Sequence, residues 1–178
     1  MTTIEAERVA TAPASATAPF RYDTLVEAPT LHVGAQDLPF VTIAAGVELQ
    51  LLHVDLSSGL WVNRTRLQPG ARVPTHLHAG TVYAVTLSGS WYYLETPDQV
   101  NTAGSYLFEP AGSVHTLVAS ADHAGPTLAW FAINGPNINV DGDGAVTGIF
   151  DARTILNLYR GLVDKQGGDY GALIVRGE

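Results

Sequence analysis

The sequence contains no cysteine, which excludes disulfide bonds, thiolate metal ligands and a cysteine nucleophile. Any metal ion that this chain binds must therefore be held by histidine, aspartate or glutamate. Lysine occurs once, at Lys165, and the formal net charge is −8. Because nucleic acids and most membrane surfaces are anionic, we expect neither of them to be a partner of so acidic a chain.

Long apolar runs are also missing, since no stretch approaches the roughly 20 residues that a membrane-spanning helix needs. Residues 1–19 lack a basic start followed by an apolar segment, so they do not resemble a signal peptide, and we expect a soluble cytoplasmic protein. Residues 1–21 contain few large apolar side chains and predict a flexible tail. Hydrophobic residues make up 46% of the chain and charged residues 15%, which predicts that residues 22–178 fold as one domain.

The folded part of the sequence consists of short runs typical of β-strands, separated by turn residues. Runs of this length and spacing favour an all-β sandwich or barrel over alternating strands and helices. The predicted strands are residues 47–54, 60–67, 71–78, 81–87, 90–95, 105–108, 115–119 and 127–133. One helix is predicted at 152–163, because Asp151 can cap its N-terminus and apolar residues recur at helical spacing.

Histidines in two of these runs indicate a metal site. His76 and His78 follow the Pro69-Gly70 turn, and because side chains alternate along a strand, both point to the same face. A third ligand is needed, and His115 follows a Pro-x-Gly turn at the start of another strand. Three neutral imidazoles suit iron, zinc, copper or nickel and leave coordination positions open.

The spacing of these residues resembles the two conserved motifs of the cupin superfamily. The first motif is Gly70-x5-His76-x-His78 followed by Gly89, and the second is Gly104-x5-Pro110-x-Gly112-x2-His115. The resemblance implies a cupin double-stranded β-helix, a jelly-roll barrel, with the predicted helix at its C-terminal end. In the usual first motif a glutamate ligand stands where this chain has Val82, so the resemblance implies a neutral three-histidine site here.

Residues 38–160 resemble a narrower group, the 2,4′-dihydroxyacetophenone dioxygenases and their relatives. The likeness rests on the two motifs, on the segment Gly89-Ser-Trp-Tyr-Tyr-Leu-Glu95 and on an Asp-Gly hairpin near residue 143. It implies a non-haem Fe(II) dioxygenase that uses dioxygen to cleave the carbon–carbon bond of a 2-hydroxy aryl ketone. The products would be an aromatic carboxylate and formate.

Two carboxylates and several other side chains near the motifs are further site candidates. Glu95 and Glu109 are each a candidate for an extra ligand, a base for a substrate hydroxyl or a partner that orients an imidazole. Glu95 shares strand parity with Trp91 and Tyr93, and we prefer it because its segment is the more distinctive of the two. Candidates for substrate binding are an aromatic wall and an arginine one strand before the motif: Tyr83, Trp91, Tyr93 and Arg66.

Two other functions use the same histidines. One is a non-catalytic cupin that holds zinc and acts as a sensor or regulatory module. The other is an isomerase or hydrolytic enzyme that uses the metal as a Lewis acid without oxygen. By analogy with other cupins, which pair through sheet edges and terminal segments, we expect a homodimer or a higher oligomer.

Overall fold

The structure is a computed structural model that describes residues 29–177, and the predicted flexible tail at 1–21 lies outside this range. Within the described residues the chain forms thirteen strands and one helix. In chain order they are β1 (Val41–Ala44), β2 (Val47–Asp55), β3 (Leu60–Leu67), β4 (Arg72–His78), β5 (Val82–Ser88), β6 (Ser90–Tyr93), β7 (Asn101–Thr102), β8 (Tyr106–Glu109), β9 (Val114–Ala119), β10 (Thr127–Asn134), β11 (Asn137–Val140), β12 (Val146–Phe150), α1 (Ala152–Lys165) and β13 (Ile174–Arg176).

The strands form two sheets, and the prediction of an all-β cupin barrel with one helix is confirmed. The first sheet has the order β1-β2-β3-β10-β5-β8, and β13 pairs in parallel with β2. The second has the order β12-β11-β4-β9-β6-β7 and is antiparallel throughout. Neighbouring strands in each sheet are mostly distant in the sequence, which is how residues from separate motifs reach one site.

Alternation along the strands determines which side chains enter the barrel. In β3, Trp61, Asn63, Thr65 and Leu67 are buried and the residues between them are only partly so. Apolar side chains from both sheets fill the interior together with one face of α1. The buried asparagine and threonine of β3 are exceptions to this apolar filling, and both border the cavity described below.

All four motif glycines adopt a backbone conformation that other residues avoid. Gly70, in the turn before β4, has φ of +77°, and Gly89, between β5 and β6, has φ of +75°. At Gly89 a Cβ atom would also lie 2.7 Å from the Cα of Thr127, so space and conformation both require glycine there. The motif glycines are therefore required by the turns that lead into β4 and β6.

The predicted helix forms, and it ends at Lys165, two residues beyond the predicted end. Asp151 caps it as expected: the Thr154 N–H donates to Asp151 Oδ1 at 2.7 Å, and the Asp151 N–H donates to Thr154 Oγ1 at 2.6 Å. The helix contacts β1 and β2 of the first sheet and β12 of the second, and the hydroxyl of Tyr159 donates to the carbonyl of Pro39 at 2.7 Å. No helix among residues 29–177 is long and apolar enough to span a membrane.

We predict that Gly80→Ala destabilises the protein by about 1–3 kcal/mol, because the added Cβ has no room. It would lie 2.0 Å from the carbonyl oxygen of Asn134, which belongs to the backbone and cannot rotate away. Gly161→Ala is the matched control. This glycine is exposed within α1 with open space around it, so alanine is expected to stabilise the protein by about 0.5–1 kcal/mol. Urea unfolding measures both changes, and a Gly80→Ala protein as stable as the wild type would contradict the close approach.

Candidate metal centre

Strands β4 and β9 bring the three predicted histidines together. His76 and His78 project from the same face of β4, and the pairing of the two strands places His115 directly opposite His76. The pairing of β4 with β9 is irregular between Val73 and His76, so the register shifts just before the two histidines of β4. All three side chains are buried, at 3–5% exposure.

The three imidazoles converge on one point. Nε2 of His76 and Nε2 of His78 are 3.1 Å apart, and one ligand atom from each of the three residues lies within 4.8 Å of the others. The ring centroids are 4.8 Å apart for His76 with either neighbour and 5.2 Å apart for His78 and His115. Three buried histidines in this arrangement form a site that can bind a metal ion.

The environment of the imidazoles favours the form that binds metal. Nδ1 of His76 lies 2.7 Å from the carbonyl oxygen of Pro74, and because a carbonyl only accepts, Nδ1 carries the proton and Nε2 presents a lone pair. Burial lowers the pKa of His76, and it lowers the pKa of His78 to about 4. Both rings are therefore neutral at neutral pH.

A buried carboxylate, Glu109 at the end of β8, adjoins the histidines. Its Oε2 lies 3.1 Å from Nε2 of His78 and 3.2 Å from Nε2 of His115, and its Oε1 accepts a hydrogen bond from the Tyr93 hydroxyl. Burial alone would raise the pKa of Glu109, but the imidazoles of His115 and His78 and the Tyr93 hydroxyl together hold it below its ordinary value. Tyr93 also stacks on His115 at 3.8 Å, so one side chain positions two members of the site.

These residues fit a metal ion by a test that does not depend on their family. Donor atoms bound at about 2.0–2.1 Å to one ion lie about 3.0–3.4 Å from each other. The His76–His78, His78–Glu109 and His115–Glu109 separations are 3.1–3.2 Å, and the ligand atoms of the three histidines all lie within 4.8 Å of one another. Nε2 of His115 and Oε2 of Glu109 are both fully buried and have no hydrogen-bond partner among the described residues. Buried lone pairs without partners are costly, and a cation between them would satisfy both.

Glu109 changes the expected charge of the site. Val82 is indeed apolar and fully buried, as the sequence shows, but Glu109 on β8 is its direct partner across the β5–β8 pairing. In the usual motif the carboxylate stands at the position of Val82, on β5. Here the carboxylate that approaches the histidines comes from the neighbouring strand, β8. The expectation of a neutral three-histidine site therefore needs revision: three imidazoles are accompanied by one buried carboxylate.

A cavity of about 290 Å³ opens from this centre. His76, His78, Tyr93 and Glu109 lie on its wall, and most of the remaining wall is apolar. Both sheets and the helix contribute to this apolar part, which consists mainly of Ile43, Val47, Leu49, Trp61, Val73, Leu117, Phe131, Ile133, Phe150, Ile155 and Leu158. The volume suits a small organic molecule.

The structure does not bring the other predicted site residues to the centre. Glu95 is exposed beyond the end of β6, where it accepts a hydrogen bond from the Thr116 N–H at 2.9 Å. Tyr83 is 40% exposed on the outer face and packs against Phe108. Trp91 is fully buried behind the site, where its indole N–H donates to Thr86 Oγ1 at 2.8 Å.

Arg66 also lies away from the cavity wall, because it pairs with Glu48 at 3.2 Å and covers the ring of Phe40. Conversely, five polar residues on the wall were not identified from the sequence: Asn63, Thr65, Arg72, Asn137 and Asn139. Strand parity was no signal for Arg72, because the irregularity between Val73 and His76 places Arg72, opposite Val118, on the other face of β4 from His76. Asn137 and Asn139 carried no signal either, because their approach to the histidines depends on the β4–β11 pairing, and Asn63 and Thr65 lie on β3 in the other sheet.

The fold and this histidine centre define the protein as a cupin. Residues 29–131, more than half of the chain, match the family described as the ChrR cupin-like domain. The chain therefore belongs to this cupin family. None of the curated proteins matches the chain.

Solved structures support the same assignment. A protein of unknown function with a cupin-like fold from Ralstonia eutropha is 34% identical, with a TM-score of 0.79 over 86% of this chain and 96% of that one. A second R. eutropha protein, an RmlC-like cupin, is 23% identical, with a TM-score of 0.72 over 80% and 95%. The acetylacetone dioxygenase of Acinetobacter johnsonii is 19% identical, with a TM-score of 0.68 over 80% and 99%, a likeness that concerns the fold alone.

We predict that His115→Ala abolishes metal retention, because it removes one of three converging donors. The measurement is the metal content per protein after dialysis, by inductively coupled plasma mass spectrometry. His123→Ala is the matched control, since this histidine is exposed and its ring hydrogen-bonds with the backbone of Gly125. Full metal retention in His115→Ala, or equal loss in both variants, would show that the ligand set is different.

Proposed function

We propose that the protein is a non-haem iron dioxygenase that cleaves the carbon–carbon bond beside the carbonyl of a small 2-hydroxy aryl ketone. The observation that carries this proposal is the placement of an ionised carboxylate and two of the three converging histidines on the wall of a largely apolar cavity. Such a wall excludes water from reactive species, and the histidines leave coordination positions for a substrate and dioxygen.

His76, His78 and His115 would hold the metal, with Glu109 adjoining it. Iron bound there supplies a Lewis acid that polarises the two oxygens of a hydroxy ketone and a redox centre for dioxygen. In the overall reaction one molecule of dioxygen is consumed. One of its atoms enters the aromatic carboxylate and the other enters formate, so that no external reductant is needed.

Glu109 is suited to receive the proton of the substrate hydroxyl. Its lowered pKa keeps the carboxylate ionised at neutral pH. Tyr93 occupies Oε1, and Oε2 is left facing the histidines, where the substrate oxygens would lie. Burial and the adjacent Glu109 raise the pKa of Tyr93, so the phenol stays protonated and keeps donating.

Asn137 supports a substrate that carries a hydroxyl group. It stands opposite His78 in the β4–β11 pairing and lies on the cavity wall. Its Oδ1 is buried and accepts no hydrogen bond from the described residues. An acceptor without a donor beside the centre is completed by a ligand with a hydroxyl hydrogen.

We expect the iron-loaded protein to consume oxygen when 2-hydroxyacetophenone is added, with benzoate and formate formed in equal amounts. Glu109→Gln is expected to lower kcat by about 100-fold or more, because the amide cannot take up the proton. Glu95→Gln is the matched control, since Glu95 is exposed and contacts Thr116 instead of the centre. An oxygen electrode and chromatography of the products measure both effects. Equal activity in the two variants would remove Glu109 from the mechanism.

The second candidate is a zinc-holding cupin without catalytic activity that acts as a sensor or regulatory module. The observation that favours it is the family that the chain matches, the ChrR cupin-like domain, because ChrR is an anti-sigma regulator. The same protein preparation separates the two functions. Zinc that survives dialysis, with no oxygen uptake across a panel of hydroxy ketones and diketones, would contradict the dioxygenase and leave this candidate.

A further inference from the structure

The cavity wall includes a buried amide on the sheet that does not carry the histidines. Asn63 lies on β3 of the first sheet, whereas the three histidines lie on β4 and β9 of the second. Alternation along β3 turns Asn63 and Thr65 towards the interior, and both border the cavity. The side chain of Asn63 is only 1% exposed. The cavity therefore has histidines on one sheet and a buried amide on the other.

The two polar atoms of this amide differ in their partners. The Thr65 hydroxyl donates to Asn63 Oδ1 at 2.8 Å, which orients the amide and leaves Nδ2 with two hydrogens to donate. Among residues 29–177, Nδ2 of Asn63 donates to no acceptor. It is not one of the fully buried unpaired atoms of that range, so it still borders open space, which here is the cavity. The amide thus presents a free donor to the interior.

The surroundings of Asn63 make a free donor unfavourable. Its partners in the strand pairing are Leu51 of β2 and Phe131 of β10, and Phe131 also lines the cavity. A buried donor without an acceptor has lost hydration and has gained no hydrogen bond in return. Leucine has nearly the same volume as asparagine and would fill this place without that penalty. A ligand that brings an acceptor to Nδ2 would remove the penalty as well.

The strand order separates this donor from the metal centre. Three strand spacings lie between β3 and β8, which carries Glu109, and they amount to roughly 14 Å along the sheet. The registers place Asn63 level with Leu107, two residues from Glu109 along β8. Both side chains extend inward and the barrel is curved, so the gap between their polar atoms is shorter than this path. A molecule with one substituted aromatic ring is of the size that can span it.

The two polar regions of the cavity need opposite hydrogen-bonding groups. Beside the histidines, Asn137 Oδ1 is a buried acceptor without a donor. On the opposite sheet, Asn63 Nδ2 is a donor without an acceptor. This donor is uncharged, so it suits a neutral oxygen such as that of an ether or a carbonyl group. A carboxylate would be a poor ligand for it, because a single neutral partner does not compensate the burial of a charge.

We propose that Asn63 is a specificity-determining residue whose Nδ2 binds a neutral oxygen acceptor at the end of the substrate remote from the metal centre. Thr65 is a positioning residue, because it holds Oδ1 and so directs Nδ2 into the cavity. The inference rests on the proposed function, since it takes the hydroxy ketone end to lie at the histidines. It assigns the substrate to the aryl hydroxy ketones that carry an ether or carbonyl oxygen on the ring.

Probes that exchange one oxygen for a methylene group test this subsite: 2-hydroxyacetophenones with a methoxy or an ethyl group at the 3′ or the 4′ position. Calorimetric titration of the Fe(II)-loaded protein under nitrogen, which prevents turnover, measures each affinity. We expect the wild type to bind the methoxy compound about fivefold more tightly than the ethyl compound at one of the two positions. In Asn63→Leu this ratio should fall to one or below, since ethyl is the more apolar group.

Two further variants separate the amide from the shape of the wall. Thr65→Val keeps the volume but removes the hydroxyl that orients the amide, so the ratio should decrease without vanishing. Leu49→Val is the matched control, because Leu49 pairs with Thr65 across β2 and β3 and lines the cavity. It changes the wall without removing a polar group, so both affinities should shift together and the ratio should stay at the wild-type value.

A wild type without a methoxy preference at either position, methoxy probes that do not bind, or a preference that persists in Asn63→Leu would each overturn the subsite. Should Asn63→Leu fail to fold, a wild-type ratio in Thr65→Val would overturn it. Oxygen uptake by the iron-loaded protein is scored separately. A preference that depends on Asn63 without oxygen uptake would support the subsite and contradict the dioxygenase. Oxygen uptake with both probes and no preference would do the reverse.

Discussion

The pairing of β4 with β9 is the interaction on which the site depends. It sets His115 opposite His76, while alternation within β4 sets His78 on the same face. Because a shift of one residue moves every side chain of a strand to the opposite face, this register must be held firmly. The Thr75 and Thr116 hydroxyls, 2.7 Å apart across the same two strands, add a side-chain link to the backbone ladder. Tyr93, from the next strand, then stacks on His115 and fixes its ring.

The site has a carboxylate beside its histidines, but a different strand supplies it than in the usual cupin motif. Three imidazoles alone leave a divalent ion with its full charge in a buried place, where an uncompensated charge is costly. Glu109 supplies one negative charge from β8, directly beside the apolar Val82 of β5. The carboxylate thus stands on the partner of the usual residue in the β5–β8 pairing. It still reaches the histidines because paired residues of neighbouring strands face the same interior.

Local patterns predicted the parts of this structure that depend on neighbouring residues. Alternation identified the strands that carry the histidines, and the Asp151 cap with helical spacing identified α1. Pairing between distant strands was not readable, so the sequence could not decide between Glu109 and Glu95 as the carboxylate beside the histidines, and the approach of Asn137 was missed. Glu95 shows that strand parity is useful only as far as the strand extends. Strand β6 ends at Tyr93, and a turn follows in which the Thr96 N–H donates to the Tyr93 carbonyl. Glu95 lies in this turn, so its parity with Tyr93 does not place it on the same face.

Burial gives the metal end of the cavity a chemistry unlike that of the rest of its wall. It keeps the imidazoles of His76 and His78 neutral, and it leaves Asn137 Oδ1 and Glu109 Oε2 without a hydrogen-bond partner among the described residues. Most of the remaining wall is apolar and contacts a ligand without fixing its direction. The polar groups beside the histidines therefore determine which end of a small molecule lies at the metal centre, because buried acceptors are satisfied only by a ligand that brings donors to them.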